Sequence, residues 1–337
     1  MKTYNVAILG ATGAVGQEMM KILLERSFPV GELRLLASAR SAGKSVPFGD
    51  RTVTITEATG DAFEGLDIVL GAAENDISKQ FAPFIKQSGA VYIDNSSAFR
   101  LDSDVPLVVP EINPEDAFRH GGIIANPNCS TIIALMALYP IFHLSPIKTI
   151  IASTYQAVSG AGVGGIRELE DQSRALALGG DIKCETFPYQ IAQNLIPQIG
   201  GFNENGYTSE EMKMQNEGRK ILHAPNMRVS CTCVRVPVVR SHSIALNIVT
   251  ERPISPVEAA EAVSKAQGVR LTDDPLNLVY PMPLDTSDQD QVFVGRIRRD
   301  LTCDNGLCLW CCGDQIRKGA AGNAVQIAQL LIAKDRK

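Results

Sequence analysis

Cys129 stands in Asn126-Pro127-Asn128-Cys129-Ser130-Thr131, a turn that runs straight into the apolar stretch 132–142. A thiol is thereby placed where a helix is expected to begin. Helix N-termini combine unpaired backbone N–H groups with the positive end of the dipole, and both favour thiolate, the nucleophilic form. The position suits covalent catalysis, although the segment by itself also fits a small buried residue beside a capped helix. An acylating thiol needs a proton-transfer partner, and of the four histidines His242 is the best placed. It falls in Arg235-Val236-Pro237-Val238-Val239-Arg240-Ser241-His242-Ser243, at a break between two expected strands, where a side chain can enter a cleft. His143 follows the apolar helix, and His120 and His223 lack reactive polar neighbours. An odd separation would put Arg235 and His242 on opposite faces of one unbroken strand, but a bend at Pro237 would let both reach one pocket.

A second chemistry is written near the N-terminus. The apolar run 6–9 leads into Gly10-Ala11-Thr12-Gly13-Ala14-Val15-Gly16 and then a helical pattern over 17–26. Strand, glycine turn and helix form a cradle in which backbone approaches a pyrophosphate at a helix N-terminus, here with GxxGxxG spacing. Where NAD-binding folds carry an acidic residue for the ribose hydroxyls, the chain reads Ser38-Ala39-Arg40-Ser41-Ala42-Gly43-Lys44. Cationic donors in place of a carboxylate suit a 2′-phosphate and favour NADP(H) over NAD(H), with a solvated loop charge as the plainer alternative.

Other groups are less telling alone. The glycine-rich segment 160–165 lacks the Lys-Ser/Thr ending of a P-loop, so a mobile loop beside a nicotinamide is expected, or else a simple strand-to-helix connection. Glu210 and Lys213 share one helix face, as an exposed ion pair would. Arg100 closes Asn95-Ser96-Ser97-Ala98-Phe99-Arg100 after a strand end, where α/β proteins bind ligands. Cys303, Cys308, Cys311 and Cys312 have no matching second knuckle and no nearby His. Alternation of Cys308, Trp310 and Cys312 fits strand packing better than zinc, Cys231 and Cys233 alternate likewise, and no metal is expected.

These groups need a scaffold. At 337 residues, with 45% hydrophobic and 20% charged, the chain can fill two ordinary cores or one large α/β core. A net charge of -5 argues against nucleic acid or an anionic membrane as partner. Met1-Lys2-Thr3-Tyr4-Asn5 enters a strand at once, so no signal peptide is expected, and 132–142 falls short of the ~20 residues that span a bilayer. A cytoplasmic protein with reduced thiols follows. Strands expected at 32–37, 68–72, 91–94 and 107–109, with a helix at 77–87, imply a parallel, doubly wound α/β sheet of Rossmann type. Beyond residue 148, strands at 148–152, 229–236 and 243–251, with helices at 166–178 and 209–222, imply a mixed, largely antiparallel α+β domain. The expected division is 1–127 for the nucleotide domain, completed by a C-terminal helix 316–337, and 128–315 for the catalytic and dimerisation domain.

Taken in order, these motifs resemble aspartate-β-semialdehyde dehydrogenase over essentially the whole chain. The match rests on the Asn126-to-Thr131 hexapeptide, the most specific of the motifs, with Gly10 to Gly16, the segment with Arg40 and Ser41, the one ending in Arg100, Tyr155-Gln156-Ala157-Val158-Ser159-Gly160, Glu210 with Lys213, and Arg235 seven residues before His242. The resemblance implies Cys129 as nucleophile, His242 as acid/base and Gln156 as the residue that orients the acyl intermediate. It implies Arg235 and Glu210 at the substrate's amino-acid end, and Arg100 and Lys213 at its phosphate. Gly10, Thr12, Gly13, Ala14, Val15, Gly16, Ser38, Arg40, Ser41, Ser159, Gly160 and Gln315 would contact NADP(H). The implied reaction is reversible reduction of L-4-aspartyl phosphate to L-aspartate 4-semialdehyde with release of inorganic phosphate. It would serve lysine, threonine, methionine and diaminopimelate biosynthesis in a homodimer or homotetramer. The alternatives are an N-acetyl-γ-glutamyl-phosphate reductase and an inactive NADP(H)-binding sensor; the charge of Glu210, suited to a free ammonium, speaks against the first.

Overall fold

Apolar runs of strand length, set apart by glycine and polar turns, build the first of two units in the computed structural model, which describes residues 2–334. The units are Met1–Asn128 with Ala320–Lys337, and Cys129–Gly319. The expected limits fall one residue earlier at the first crossing and four earlier at the second; residues 1 and 335–337 lie outside the described residues.

The first unit contains β1 (Tyr4–Leu9), α1 (Ala14–Glu25), β2 (Val30–Ala37), β3 (Ser45–Phe48), β4 (Arg51–Glu57), β5 (Ile68–Gly71), α2 (Asn75–Gln87), β6 (Val91–Asp94) and β7 (Ile123–Ala125). Its strand order is β3-β4-β2-β1-β5-β6-β7, parallel except for the β3/β4 hairpin. That hairpin adds to the expected elements. Phe48 pairs with Arg51 across the two-residue turn Gly49-Asp50, where Gly49 takes a φ of 61°. Residues 107–109 do not form the expected strand. Pro106 and Pro110 remove ladder donors on either side, Leu107 makes a single bridge to Ala125, and β7 takes the edge position. The C-terminal helix (Gly322–Lys334) begins later than residue 316 because Arg317–Ala321 form a π turn. Its Val325 and Ile327 pack in one cluster with Ile8, Ile22, Leu35 and Leu70. Each such buried aliphatic side chain contributes about 1.5–3 kcal/mol. Asn323 of the same helix donates to the Val108 carbonyl at 2.9 Å and to Asn126 Oδ1 at 2.7 Å.

In the second unit α3 (Cys129–Leu144) comes first, then β8 (Ile147–Gln156), α4 (Gly162–Leu178), α5 (Ser209–Ile221), β9 (Arg228–Arg235), β10 (His242–Thr250), α6 (Pro256–Lys265), β11 (Val269–Leu271), α7 (Pro283–Thr286), β12 (Val292–Arg299) and β13 (Gly306–Gly313). The sheet runs β11-β12-β13-β10-β8-β9, with β8/β9 and β11/β12 parallel and the other neighbours antiparallel. Residues 132–138 of α3 are all buried, as expected of a helix apolar all round, and a Cβ on Gly313 of β13 would stand 3.2 Å from Ile133. The glycine segment 160–165 forms the connection from β8 into α4, as the plainer of the two expectations has it. Val158–Ala161 form a 3-10 turn, and Gly162, with φ 74°, turns the chain into α4. Glu168 and Gln172 of α4 then fix the irregular segment beyond it. Glu168 accepts the backbone N–H groups of Glu185 and Thr186, and Gln172 Oε1 those of Ile191 and Ala192. Cys231 and Cys233 are buried on one side of β9, while Cys308, Cys311 and Cys312 are buried in β13. Among the described residues no helix is long and apolar enough to cross a membrane.

Candidate active site

Gln156, Arg235 and His242 come from the ends of three adjacent strands. β8 runs parallel to β9, with Gln156 opposite Arg235, and antiparallel to β10, with Tyr155 opposite Ser243. Parallel pairing aligns two C-terminal ends and antiparallel pairing sets a strand start beside them. The three side chains therefore share one end of the sheet. Face arithmetic along a single strand does not govern Arg235 and His242, because they lie on separate strands flanking β8.

Cys129 opens α3 and holds Sγ 3.4 Å from His242 Nε2. His242 is fully buried, and its Nδ1 accepts the backbone N–H of Ala157 at 3.1 Å. Burial, and after it the charge of Arg235, push its pKa down to about 3 against the pull of Glu210. The ring is neutral at ordinary pH. Gln156 Nε2 lies 3.4 Å from the same Nε2 and donates to Glu210 Oε1 at 3.2 Å, while Thr154 donates to Gln156 Oε1 at 3.0 Å. A carboxylate only accepts, which fixes the amide with its nitrogen toward Glu210.

Glu210 sits in the first turn of α5, whose start is set by a capping box between Thr208 and Glu211. Its other oxygen holds Lys213 Nζ at 2.8 Å, with the Glu210 side chain only 9% exposed. The pair is thus not the solvated one that spacing alone implies. Arg235 is buried, donates from Nη1 to the Ala157 carbonyl at 2.7 Å and lies over the Phe187 ring at 5.8 Å. Burial lowers its pKa, and the charges of Glu210 and Cys129 oppose that effect. A Cβ on Gly160 would stand 2.8 Å from Arg235 Nη1 and 3.4 Å from His242 Cε1, so a side chain there would crowd both. Gln315 is engaged at both ends of its amide, donating to Ser159 Oγ and accepting the Ser241 N–H at 2.8 Å. Ser241 holds a left-handed φ of 73° directly before His242, a strained state for a serine.

In the first unit the three turn glycines differ in kind. Gly10 has φ 89° and no room for a Cβ, which would meet the Ala72 carbonyl oxygen at 2.6 Å. Gly16 lies against the turn, 2.5 Å from the Gly10 oxygen by the same test. Both are dictated by the fold. At Gly13 a Cβ would make only an ordinary 3.6 Å contact, and φ is -77°. Packing within the described residues does not require glycine there. Gly13 caps α1 with no side-chain bond, and the first turn, with Ala14 and Val15, carries no acid, which leaves the helix terminus open to an anion beside Thr12. Ser38, Arg40 and Ser41 follow the C-terminal end of β2, the parallel neighbour of β1, with Ser38 and Arg40 exposed. These residues fit a nucleotide bearing a 2′-phosphate. Arg100 follows β6, is buried, and donates to the Asn95 carbonyl at 2.7 Å.

Sequence reading did not single out Thr154, the peptide group of Ala157 or Gly319. A Cβ on Gly319 would lie 2.9 Å from that of Cys129. Its only signal in the chain is the small-residue segment Gly319-Ala320-Ala321-Gly322 ahead of the last helix. Nothing in the sequence marks a backbone N–H as a ring partner.

Fold and site together define a class, a two-unit nucleotide-dependent dehydrogenase. Residues 5–120 match the family described as semialdehyde dehydrogenase, NAD binding domain, and residues 138–318 match semialdehyde dehydrogenase, dimerisation domain. The aspartate-semialdehyde dehydrogenase of Synechocystis sp. is 53% identical over 331 residues, covering 98% of each chain. The crystal structure of aspartate semialdehyde dehydrogenase II complexed with ASA from Vibrio cholerae superposes with a TM-score of 0.95 at 45% identity, covering 99% of each chain. That of aspartate semialdehyde dehydrogenase with NADP from Candida albicans gives 0.77 at 25% identity, again covering 99% of each. The chain belongs to the aspartate-semialdehyde dehydrogenase family.

Proposed function

We propose that the chain reduces L-4-aspartyl phosphate to L-aspartate 4-semialdehyde, reversibly, with NADP(H) as redox partner and inorganic phosphate as leaving group, in lysine, threonine, methionine and diaminopimelate biosynthesis. The observation that carries this reading is the 3.4 Å approach of Cys129 Sγ to His242 Nε2 at the start of a buried helix. Family membership supports it, as do the ASA and NADP of the Vibrio and Candida relatives.

Cys129 attacks the acyl carbon, the bond to the phosphate oxygen breaks, and a thioester forms. NADPH, when bound, supplies the hydride for the thioester carbonyl. His242 is the partner of the sulfur and of the oxygen that becomes an alkoxide, and Gln156 orients the acyl group. Collapse of the alkoxide returns the thiolate and releases the aldehyde. The Arg235 fork suits the α-carboxylate and Glu210 the α-ammonium. Lys213 and Arg100 are assigned to the phosphate. Gly10, Thr12, Gly13, Ala14, Val15 and Gly16 would hold the pyrophosphate, and Ser38, Arg40 and Ser41 the 2′-phosphate. Ser159, Gly160 and Gln315 complete the nucleotide contacts in this reading. A homodimer or homotetramer in the cytoplasm, where thiolates persist, belongs to the same proposal.

An assay of NADP reduction with L-aspartate 4-semialdehyde, with and without phosphate, tests it. Phosphate-dependent turnover is expected, and absent or phosphate-independent turnover would sink the reading. Equal rates with the N-acetylated five-carbon semialdehyde would shift it to N-acetyl-γ-glutamyl-phosphate reductase.

A further inference from the structure

Asp314 is fully buried and lies outside the residues assigned to substrate and nucleotide. It follows β13, whose Gly313 pairs with His242 across the ladder to β10, so the same register sets residue 314 beside residue 241. Its Oδ1 accepts the backbone N–H groups of Ile316 and Arg317 at 2.9 Å and 3.0 Å. Oδ2 accepts the N–H of Asp288 at 2.7 Å and ion-pairs with Arg240 Nε at 2.6 Å, while Arg240 Nη1 reaches Asp288 Oδ1 at 3.0 Å. The Asp314 carbonyl takes the Gly319 N–H at 3.0 Å, the five-residue step of a π turn. One carboxylate thus joins three segments: the approach to His242, the chain after α7, and the turn that leads to Gly319. The first two hold non-glycine residues in the left-handed region, Ser241 at 73° and Asp288 at 61°. Such states persist where surrounding bonds over-determine them. Only an acceptor with two oxygens and no hydrogen of its own satisfies this set of donors.

The joined segments border the reacting groups. Ser241 directly precedes His242 and donates its N–H to Gln315 Oε1 at 2.8 Å, and Gln315 donates in turn to Ser159 Oγ. Gly319 lies against Cys129, with no room for a methyl between them. We propose that Asp314, acting with Arg240, is the positioning residue that sets His242 against Cys129. The inference rests on the reading of those two as the reacting pair. Asp314 acts through the backbone of Ser241 on one side and of Gly319 on the other. Asn at this position has the same size but must turn its NH2 toward one of the two pairs of donors, so the junction opens without a cavity. Arg235 and Glu210 are held by other groups, the Ala157 carbonyl and the helix start capped by Thr208 and Glu211. Loss of the carboxylate should therefore spare substrate affinity and slow the chemistry.

Steady-state kinetics of Asp314→Asn in the full chain test this. kcat should fall about 10- to 10²-fold, as displacement of a reacting group by about 1 Å would cause, with KM for the semialdehyde within about threefold of native. Arg240→Met should lower kcat in the same sense, and adding it to Asp314→Asn should cost less than about twofold more, because the pair acts as one unit. An unchanged kcat in folded Asp314→Asn, a rise in KM alone, or losses that multiply in the double variant would overturn the proposal. Should Asp314→Asn fail to fold, Arg240→Met decides by the same split, at a side chain 22% exposed. A second readout needs no turnover. Iodoacetamide labelling of Cys129, read by peptide mass spectrometry against the exposed Cys184 as internal reference, should slow about tenfold in either variant as the thiolate loses its partner. Labelling at the native ratio removes this inference alone. Absence of phosphate-dependent semialdehyde oxidation in the native protein removes the functional reading alone.

Discussion

A Cβ on Gly319 would stand 2.9 Å from the Cβ of Cys129 and 3.3 Å from its Cα. Real Cβ atoms do not approach that closely, and neither side can yield without moving backbone at the start of α3. Gly319→Ala should therefore displace the sulfur while leaving the core intact. Since a misplacement of about 1 Å can cost about 10²-fold in rate, kcat should fall by about 10- to 10²-fold with unchanged circular dichroism. An unaltered kcat in the folded variant would show that the contact does not position the thiol.

Gly160 offers a softer test. An added methyl would press on Arg235 Nη1, the far end of a flexible side chain, and loosen its bond to the Ala157 carbonyl. A hydrogen bond to a charged group contributes about 1.5–3 kcal/mol, so Gly160→Ala should raise KM for the semialdehyde by about tenfold or more. kcat should change less. Steady-state kinetics that show the reverse split would count against Arg235 as the carboxylate clamp.

Stability should carry the mark of the buried ring. Native His242 stays neutral down to about pH 3, whereas the unfolded chain's histidine titrates near its ordinary value. Between those values the unfolded state binds a proton that the native state does not, so stability falls as pH falls through this window. The slope from this group alone is at most about 1.4 kcal/mol per pH unit. Urea midpoints measured from about pH 7 to about pH 4 should decline more steeply for the native protein than for His242→Gln. Parallel declines would contradict the depressed value.

At the nucleotide end, if Arg40 holds the 2′-phosphate as proposed, Arg40→Ala should raise KM for NADPH by about 10- to 10²-fold and leave KM for NADH, which lacks that phosphate, nearly unchanged. Equal effects on both cofactors would assign Arg40 to something other than that phosphate.

Much of the fold was legible because it rests on short-range signals. Strand, glycine turn and helix mark the first βαβ crossing, and the apolar run after Cys129 marks α3. Prolines 106 and 110, which have no N–H, frame an apolar triplet that looks like a strand but whose ladder stops at a single bridge to Ala125. Among the glycines at 160–165, Gly162 with its positive φ turns the chain into α4, a role that composition alone does not assign to one of them. Site residues with charged or reactive side chains could be found by type. Ala157 could not, since its contribution is a peptide group oriented by the end of β8, and no side chain reports where a backbone N–H points.

The placement of Cys129 on α3 has a consequence for heat and denaturant. Its sulfur, the proposed nucleophile, is mounted on a helix whose residues 130–138 are all buried, with no loop between to absorb motion. Inactivation should therefore coincide with loss of the second unit's tertiary structure. Turnover then becomes a reporter of folding, and a substitution that lowers the melting point of α3 should lower the inactivation temperature by the same amount.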